Sequence, residues 1–596
     1  MCGIFGYLGN NNNAGKTILE GLKSLEYRGY DSWGIALKIN PPAGGQKLNG
    51  KNNLFIEKHL GKIGQANIPE LSSFSGIGHT RWATHGGVTE ENAHPHTDCN
   101  KKIIVVHNGI VENFELLKQK LLKKNHKFIS QTDSEIIAHF IEEELKTKTD
   151  LIKAVMYVFK KLTGMNAIIV FYPEKEQFVA VKNGSPLVFG QKKKEFFLAS
   201  DASAISIHTN KVHFIEDNEL LSVDKNNYQL YDHNLNKKKI DFMTLDYKKE
   251  EAELGKFSDY MIKEISEQPN VLNNIVLTSQ TNIKHAAELI KTAYGTYFIG
   301  CGTAYYAALS GTYLFSKIAR RHVNASVGSE FSYLVDFLKD KSLVIAFSQS
   351  GETIDIISSL KKVKAKNAKI LAITNVLGST LYRMADYKLL LNAGPEKCVL
   401  ATKSFTAKIA YLYLLSNTLN GGFDKGVLQI KKSIKETEKL IKQKNKIKIL
   451  ADKLKNKQHI YILGRGVSYP TALESALKIK EVSYIHAEGF AGGELKHGVI
   501  ALVEKGTPVI IYNPEDETYE DTLSSAYEVK ARGAYVIGVS SKKSDIFDEF
   551  IEVKNCQDAT IIPNVVVAQL LGYFLAKAKG FDPDKPRNLA KSVTVK

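Results

Sequence analysis

The run YFIGCG at residues 297–302 recurs as YILGRG at 461–466, and this recurrence decides the architecture of the C-terminal half of the chain. VIAFSQSGET at 344–353 is matched by VIIYNPEDET at 509–518, and ILAIT at 370–374 by YVIGV at 535–539, so the three offsets are 164, 165 and 165 residues. Each run is a short apolar strand ending in small or polar residues, and helical patterns lie between them, as in α/β units around a parallel sheet. Three strands spaced alike in two halves mark an internal repeat. The expectation is two doubly wound parallel-sheet domains, at 257–430 and 450–585. A Lys-rich helix over 431–449 joins them, its apolar residues at 434, 440, 441 and 447 fitting a surface helix with a solvated charged face.

Upstream, residues 1–240 mix β-rich runs (103–106, 167–172, 196–199) with helical stretches at 112–125 and 134–146, and turns such as NNNAG at 10–14 and PPAGG at 41–45. This is an α+β domain with loop insertions, followed by a polar linker at 241–256 and, at the far end, a short tail at 586–596. A chain of 596 residues is too long for one core, and 43% hydrophobic with 24% charged residues excludes disordered and fibrous classes. Five cysteines at 2, 99, 301, 398 and 556, with no C-x-x-C pair, suggest neither a disulfide framework nor a thiolate cage, so a reducing, cytoplasmic compartment is expected. There is no basic n-region before the first apolar residues and no uninterrupted apolar stretch of about 18 residues, so no membrane association is expected. The net charge of +17 is carried by scattered Lys, which speaks against nucleic acid as partner, and no clustered basic helix-turn-helix precedes the repeats. Arg occurs at only eight positions, among them 28, 81, 465 and 587.

The two repeats differ in chemistry. Ser348-Gln349-Ser350-Gly351-Glu352-Thr353 ends a strand just before a helix, so backbone N–H groups, hydroxyls and the helix dipole can converge on an anion. The counterpart, Asn513-Pro514-Glu515-Asp516-Glu517-Thr518, has a proline that lacks a donor and extra carboxylates that repel phosphate. Only the first repeat is expected to bind a phosphate, and a sugar phosphate suits a loop without a Walker lysine; simple helix capping by Ser and Thr is the other reading of the motif.

Cys2 is the second chemical feature. Removal of Met1 would leave thiol and α-amine on one residue, and an amine with a reference pKa of about 7.7 to 8.0 can take the thiol proton near neutrality. A buried, inert cysteine would explain the residue equally, but its company argues for chemistry: Arg28-Gly29-Tyr30-Asp31, His79-Thr80-Arg81-Trp82-Ala83-Thr84-His85-Gly86, His107-Asn108-Gly109-Ile110 and Thr132-Asp133-Ser134-Glu135. Arg81 can clamp an α-carboxylate, Asp133 can hold an α-ammonium, and the Asn108 amide with the Gly109 N–H can serve a tetrahedral oxyanion. His94-Pro95-His96 has no acidic or Cys ligands nearby at metal spacing, and no metal is expected.

MCGIFGY, LEYRGYDS, HTRWATHG, VHNGI, SQSGET, EVSYIHAEG, GELKHG and the terminal PRNLAKSVTV occur in the order found in the isomerising glutamine:fructose-6-phosphate aminotransferases, which the chain resembles over nearly its whole length. The first four are shared with N-terminal-nucleophile glutamine amidotransferases in general, whereas GELKHG and PRNLAKSVTV belong to the isomerising family. The resemblance implies a four-layer αββα glutaminase followed by two sugar isomerase (SIS) domains. In it, Cys2 attacks glutamine, Asn108 and Gly109 hold the oxyanion, Arg81, Thr84, His85 and Asp133 bind glutamine, and Trp82 gates an ammonia channel. The sugar phosphate falls to Thr303, Ser348, Gln349, Ser350, Thr353 and Val399. Lys591 forms a Schiff base with the open-chain ketose, Glu481 with Lys478 moves the proton between C1 and C2, and His497 opens the ring. Without the resemblance, Lys591 reads as a solvated tail residue, Trp82 as core and His497 as a structural histidine. No metal, nucleotide or flavin is implied, and a homodimer is. Ala304, Ala401 and Trp33 depart from the usual pattern: two hydroxyls are missing near the sugar site, and a bulky indole stands near the glutaminase site.

Overall fold

The computed structural model describes residues 2–40, 53–148, 150–245 and 253–594, so PPAGG at 41–45 and residues 246–252 of the expected linker lie outside it. The chain forms two compact units, residues 1–250 with 592–596 and residues 251–591.

The first unit is built on two antiparallel sheets. In the eight-stranded sheet, Gly3–Leu8 lies between Glu195–Ala199 and Ser75–Arg81, with Ser32–Lys38 beyond the latter. In the seven-stranded sheet, Ile104–Gly109 lies between His96–Thr97 and Asn166–Tyr172. The period-two rule explains why these strands read as continuous apolar runs. Ile104, Val106, Ala167, Ile169 and Phe171 face Ile4, Leu8, Ala36 and Ile77 in the core between the sheets. Their neighbours Val105, Ile168 and Val170 point the other way, onto Ile136, Ile137, Ile141, Val155 and Phe159 of the helices Glu135–Leu145 and Leu151–Lys161. Ala14–Leu25 covers the outer face of the first sheet, lying so close that a Cβ on Gly78 would come within 2.7 Å of Ile18 and Leu22. The layers are therefore αββα.

The second unit holds two five-stranded parallel sheets. The first runs Asn324–Val327, Gly295–Gly300, Ser342–Ser348, Lys369–Thr374, Tyr387–Leu390, and the second His486–Ala491, His459–Gly464, Pro508–Asn513, Tyr535–Ser540, Glu549–Glu552. Numbered along the chain, both sheets have the order 2-1-3-4-5, so the repeat seen in sequence is a repeat of topology. In this order the turns after strands one and three diverge, and the crevice between them is where doubly wound folds bind ligands. Two buried helices, Lys403–Leu419 and Ile561–Ala578, belong to the cores. Residues 557–578 are long and apolar enough to cross a bilayer, but the most apolar 18-residue stretch within them is wholly buried. The Lys-rich segment differs from the single surface helix expected: it lies in two helices, Phe423–Lys442 and Asn445–Leu454, that bury Ile434, Leu440, Ile447 and Leu450.

Candidate functional site

In the N-terminal unit, pairing of Gly3–Leu8 with Ser75–Arg81 sets Gly3 opposite Thr80 and brings Cys2 to the start of the 82–87 turn. The Trp82 N–H donates to Cys2 Sγ at 3.4 Å, and the thiol lies 3.6 Å from the Trp82 carbonyl. The Cys2 carbonyl accepts from Asn108 Nδ2 at 3.0 Å and from Arg28 Nε at 3.3 Å, and Arg28 also pairs with Asp201 at 3.1 Å.

The Asn108 amide is oriented by His79, a partner that nothing in HTRWATHG or VHNGI signals. His79 Nε2 lies 3.1 Å from Asn108 Oδ1 and 3.0 Å from the His107 carbonyl. Burial takes His79 down to about 3, so the ring is neutral, and two facing acceptors place its proton on Nε2. The amide NH2 is thereby turned towards Cys2. Gly109 follows at φ 142°, and a Cβ there would lie 2.0 Å from the Met165 carbonyl oxygen, so only glycine fits. Asp133 reaches the same corner by accepting from the Val111 N–H at 2.7 Å.

Arg81 differs from the carboxylate clamp expected. Nη1 donates to the Gly87 carbonyl at 3.0 Å, and Nη2 to those of His85 and Gly86 at 2.6 and 3.0 Å. The guanidinium thus holds the turn together, and a two-bond grip on a carboxylate requires that turn to release at least one donor. Burial lowers Arg81, opposed by Cys2, Asp31 and Asp133 around it. Asp31 fixes the other end of the turn by accepting from the Ala83 N–H at 2.8 Å. Thr84 is exposed on this turn, and His85 sets its ring edge-on to Phe114 at 5.5 Å. The Trp82 indole is half-buried, whereas Trp33 is buried within its strand and stacks on His59 at 4.5 Å, which accommodates the unusual residue. His94 is buried and stacks on His79 at 4.1 Å, and buried His96 meets His94 edge-on at 4.4 Å.

In the C-terminal unit, Ser348 ends strand three of the first sheet and Thr353 precedes the helix Ile354–Ala365. Their hydroxyls lie 2.9 Å apart, the Gly351 N–H donates to Ser348 Oγ at 3.0 Å, and the Glu352 N–H to Ser350 Oγ at 3.2 Å. The Gln349 carbonyl accepts from the Asn375 N–H at 3.1 Å. Gly351 is at φ 67°, with Ser379 Oγ only 2.1 Å from where a Cβ would stand. This compact turn sits at the switch point beside Thr303, the first residue of the helix Thr303–Leu314. In the second sheet the matching turn closes on itself, Asp516 Oδ1 accepting from the Thr518 N–H at 2.8 Å and its hydroxyl at 2.7 Å.

The helix Ser468–Ser483 presents Glu474, Lys478 and Glu481 on one face. Lys478 Nζ is 2.7 Å from Glu481 and 3.5 Å from Glu474, and it donates to Thr303 Oγ1 at 3.0 Å. Burial works to lower Lys478, but the two carboxylates outweigh it and hold the amine above the ordinary lysine range. Burial pushes Glu474 up to about 7, Lys478 pulling against it and the Glu481 charge adding to it.

Lys591 is no solvated tail residue: its side chain is 3% exposed and donates to Glu396 at 2.7 Å and to the Leu400 carbonyl at 3.2 Å. Burial alone would raise Glu396, but Lys591 and the N–H groups of Thr402 and Ser404 bring it down to about 2. Lys478 reaches the carbonyl of the adjoining residue, Ala401, at 3.5 Å, so two lysines distant in sequence converge on consecutive residues. Val399 belongs to the same segment, its N–H donating to the Asp584 carbonyl at 3.0 Å. His497 is not brought to this cluster. It is exposed on Gly492–His497 and has no hydrogen-bond or ion-pair partner among the described residues. Glu396 and Glu474 were missed in sequence, Glu396 because nothing near it signals a partner 195 residues away.

Residues 79–206 match the glutamine amidotransferase domain family, and residues 289–417 and 453–571 each match the SIS domain family. Over the full length of both chains, the sequence is 42% identical to the glutamine–fructose-6-phosphate aminotransferase (isomerizing) of Thermococcus kodakarensis and 39% identical to that of Clostridium perfringens. Among solved structures, the C-terminal domain of glucosamine-fructose-6-phosphate aminotransferase from Francisella tularensis superposes with a TM-score of 0.53 at 34% identity, covering 56% of this chain and 100% of that one. Nucleophile corner, sugar-isomerase repeat and full-length similarity agree, and the chain belongs to the isomerising glutamine–fructose-6-phosphate aminotransferases.

Proposed function

We infer that the protein transfers the amide nitrogen of L-glutamine to D-fructose 6-phosphate, with isomerisation, to give D-glucosamine 6-phosphate and L-glutamate. The observation that carries this reading is the convergence of Lys591, Glu396, Lys478 and Glu481 on one segment beside Thr303, in a chain that also sets a cysteine against an oriented amide. Residues 1–240 are assigned the glutaminase. Cys2 Sγ adds to the γ-carbonyl of glutamine; Asn108 Nδ2 and the Gly109 N–H stabilise the oxyanion; ammonia leaves, and water cleaves the thioester to glutamate. Asp133 and Arg81 hold the amino-acid end, with Thr84 and His85 on the turn that closes over it, and Trp82 flanks the thiol as the gate for ammonia.

Residues 257–430 and 450–585 with the tail 586–596 are assigned the isomerase. Ser348, Gln349, Ser350 and Thr353 take the phosphate, while Thr303 and Val399 border the sugar. Lys591 condenses with C2 of the open-chain ketose, and ammonia then displaces it. Glu481, paired with Lys478, removes a proton from C1 and returns it to C2, leaving an aldehyde at C1. The Lys591–Glu396 ion pair must open first, because only the free amine is a nucleophile. His497 is assigned ring opening in the homodimer, where its exposed position leaves it accessible; the compartment is the cytoplasm. Borohydride with fructose 6-phosphate tests the assignment: the adduct is expected on Lys591 and absent in Lys591→Ala, and trapping on another lysine contradicts it. Cys2→Ala is expected to lose glutamine-dependent synthesis and keep phosphosugar isomerisation.

A further inference from the structure

The N-terminal unit contains a second cluster of reactive side chains, none of which belongs to the Cys2 site. Cys99 lies in the turn between His96–Thr97 and Ile104–Gly109, His126 follows the helix Phe114–Leu122, and His139 and Glu142 stand one turn apart on Glu135–Leu145. We propose that Cys99, His126, His139 and Glu142 form a zinc site that braces the segment carrying Asp133.

The geometry is that of a coordination shell. Cys99 Sγ is 3.4 Å from His139 Nδ1 and 3.7 Å from His126 Nδ1. Glu142 Oε2 is 3.1 Å from His126 Nδ1 and 3.5 Å from His139 Nδ1, and the four ligand atoms lie within 4.8 Å of one another. A tetrahedron with Zn–S of about 2.3 Å and Zn–N and Zn–O of about 2.0 to 2.2 Å has edges of about 3.3 to 3.6 Å, close to the 3.1 to 3.7 Å of the four contacts above.

The surroundings point the same way. Both imidazoles turn Nδ1 inward and Nε2 towards a carboxylate: His126 Nε2 is 3.1 Å from Glu143, and His139 Nε2 is 3.6 Å from Glu135. The Glu143 contact fixes the His126 tautomer with the proton on Nε2, as in zinc-bound histidines, whereas Glu135 lies behind His139 beyond hydrogen-bond distance. The His126 Nδ1 lone pair then faces the thiol sulfur and the Glu142 oxygen, and His139 Nδ1 meets the same two atoms, a set of ligand atoms that a cation can share. Glu142 is itself oriented, Oε1 accepting from Asn100 Nδ2 at 2.7 Å and Oε2 from the Cys99 N–H at 3.2 Å. Both histidine side chains are 2% exposed, and exposed Cys99 gives the ion a way in.

Four protein ligands leave no open position, which makes the site structural. Glu135, behind His139, accepts from the N–H groups of Ile129 and Ser130 at 2.8 and 2.7 Å; the Ser130 hydroxyl is 2.9 Å from that of Thr132, the residue before Asp133. Zinc would thus pin together the 99 turn, the 126 loop and the helix that position Asp133.

The test uses the full-length protein, purified without an affinity tag and stripped with a chelator. Equimolar cobalt is expected to give tetrahedral d–d bands with a thiolate-to-cobalt charge-transfer band, titrating to one ion per chain, and zinc to displace it. Cys99→Ser should abolish the charge-transfer band, and Glu143→Gln, which alters only an outer partner, should weaken zinc binding about tenfold. Added zinc should raise the melting temperature of the stripped wild-type protein, a readout that needs no variant. A wild-type chain that retains no zinc through gel filtration, or a charge-transfer band that survives in Cys99→Ser, overturns the proposal.

Discussion

Replacing Glu396 by glutamine removes the charge that holds Lys591 while keeping the size of the side chain. The carboxylate is 0% exposed and accepts from Lys591 Nζ at 2.7 Å, from the N–H groups of Thr402 and Ser404 at 2.9 and 3.1 Å, and from Ser404 Oγ at 2.9 Å. Burial alone would raise its pKa, yet these partners bring it from 4.5 to about 2. At about 1.4 kcal/mol for each tenfold step, the drop is worth about 3 kcal/mol of folded-state stability. The folded pKa is the lower of the two, so this contribution is complete above about pH 4.5 and is lost as the pH falls through about 2. Glutamine forfeits it and leaves a buried ammonium facing a neutral amide, a change that costs about 3 to 5 kcal/mol when a buried pair is broken. At roughly 2 °C per kcal/mol, the transition of the C-terminal unit should fall by about 6 °C or more at neutral pH. Scanning calorimetry of wild type and Glu396→Gln at a series of pH values checks both size and sign. A variant that melts with wild type at neutral pH, or a gap that widens on acidification, refutes the reasoning.

Gly109→Ala places a Cβ 2.0 Å from the Met165 carbonyl oxygen at φ 142°, so glutaminase turnover should collapse while phosphosugar isomerisation by the same preparation persists. His79→Phe frees the Asn108 amide to rotate; kcat for glutamine hydrolysis should fall by about 10- to 100-fold, with KM changing little, since the donor is misdirected rather than deleted. Glu474, raised to about 7, is predicted to give the isomerase half-reaction an ionisation near neutrality that disappears from the pH–rate profile of Glu474→Gln. Ser348→Ala removes one hydroxyl from the phosphate turn and should raise KM for fructose 6-phosphate about 2- to 10-fold, the equivalent of about 0.5 to 1.5 kcal/mol.

The parallel-sheet repeat was legible because buried strands advertise themselves as unbroken apolar runs, and 297–300 with 461–464 sit in strand one of two sheets of the same order. The helix Leu151–Lys161 went unnamed although Asp150 caps it by accepting from Ile152 and Lys153 and its apolar residues recur at helical spacing. Polar neighbours were harder to see. Asn108 carries its own motif, but the histidine that orients it is 29 residues away and meets it only through two sheets packed face to face. Arg81 was legible as important, but the use of its planar fork on three carbonyls of its own turn was not, because those partners are backbone atoms without a sequence signal. Arg28 bridges Cys2 and Asp201, and Arg587 lies over the Tyr484 ring at 4.1 Å, contacts that use the planar guanidinium. The zinc ligands come from three segments, and only His139-x-x-Glu142, one turn apart on a helix, hints at them locally.

The most direct test of the central reading is to supply the protein with glutamine labelled at the amide nitrogen, together with fructose 6-phosphate, and to follow both products by mass spectrometry. Labelled nitrogen is expected in glucosamine 6-phosphate in equal amount to the glutamate released. Glutamate appearing with no labelled amino sugar would contradict the account.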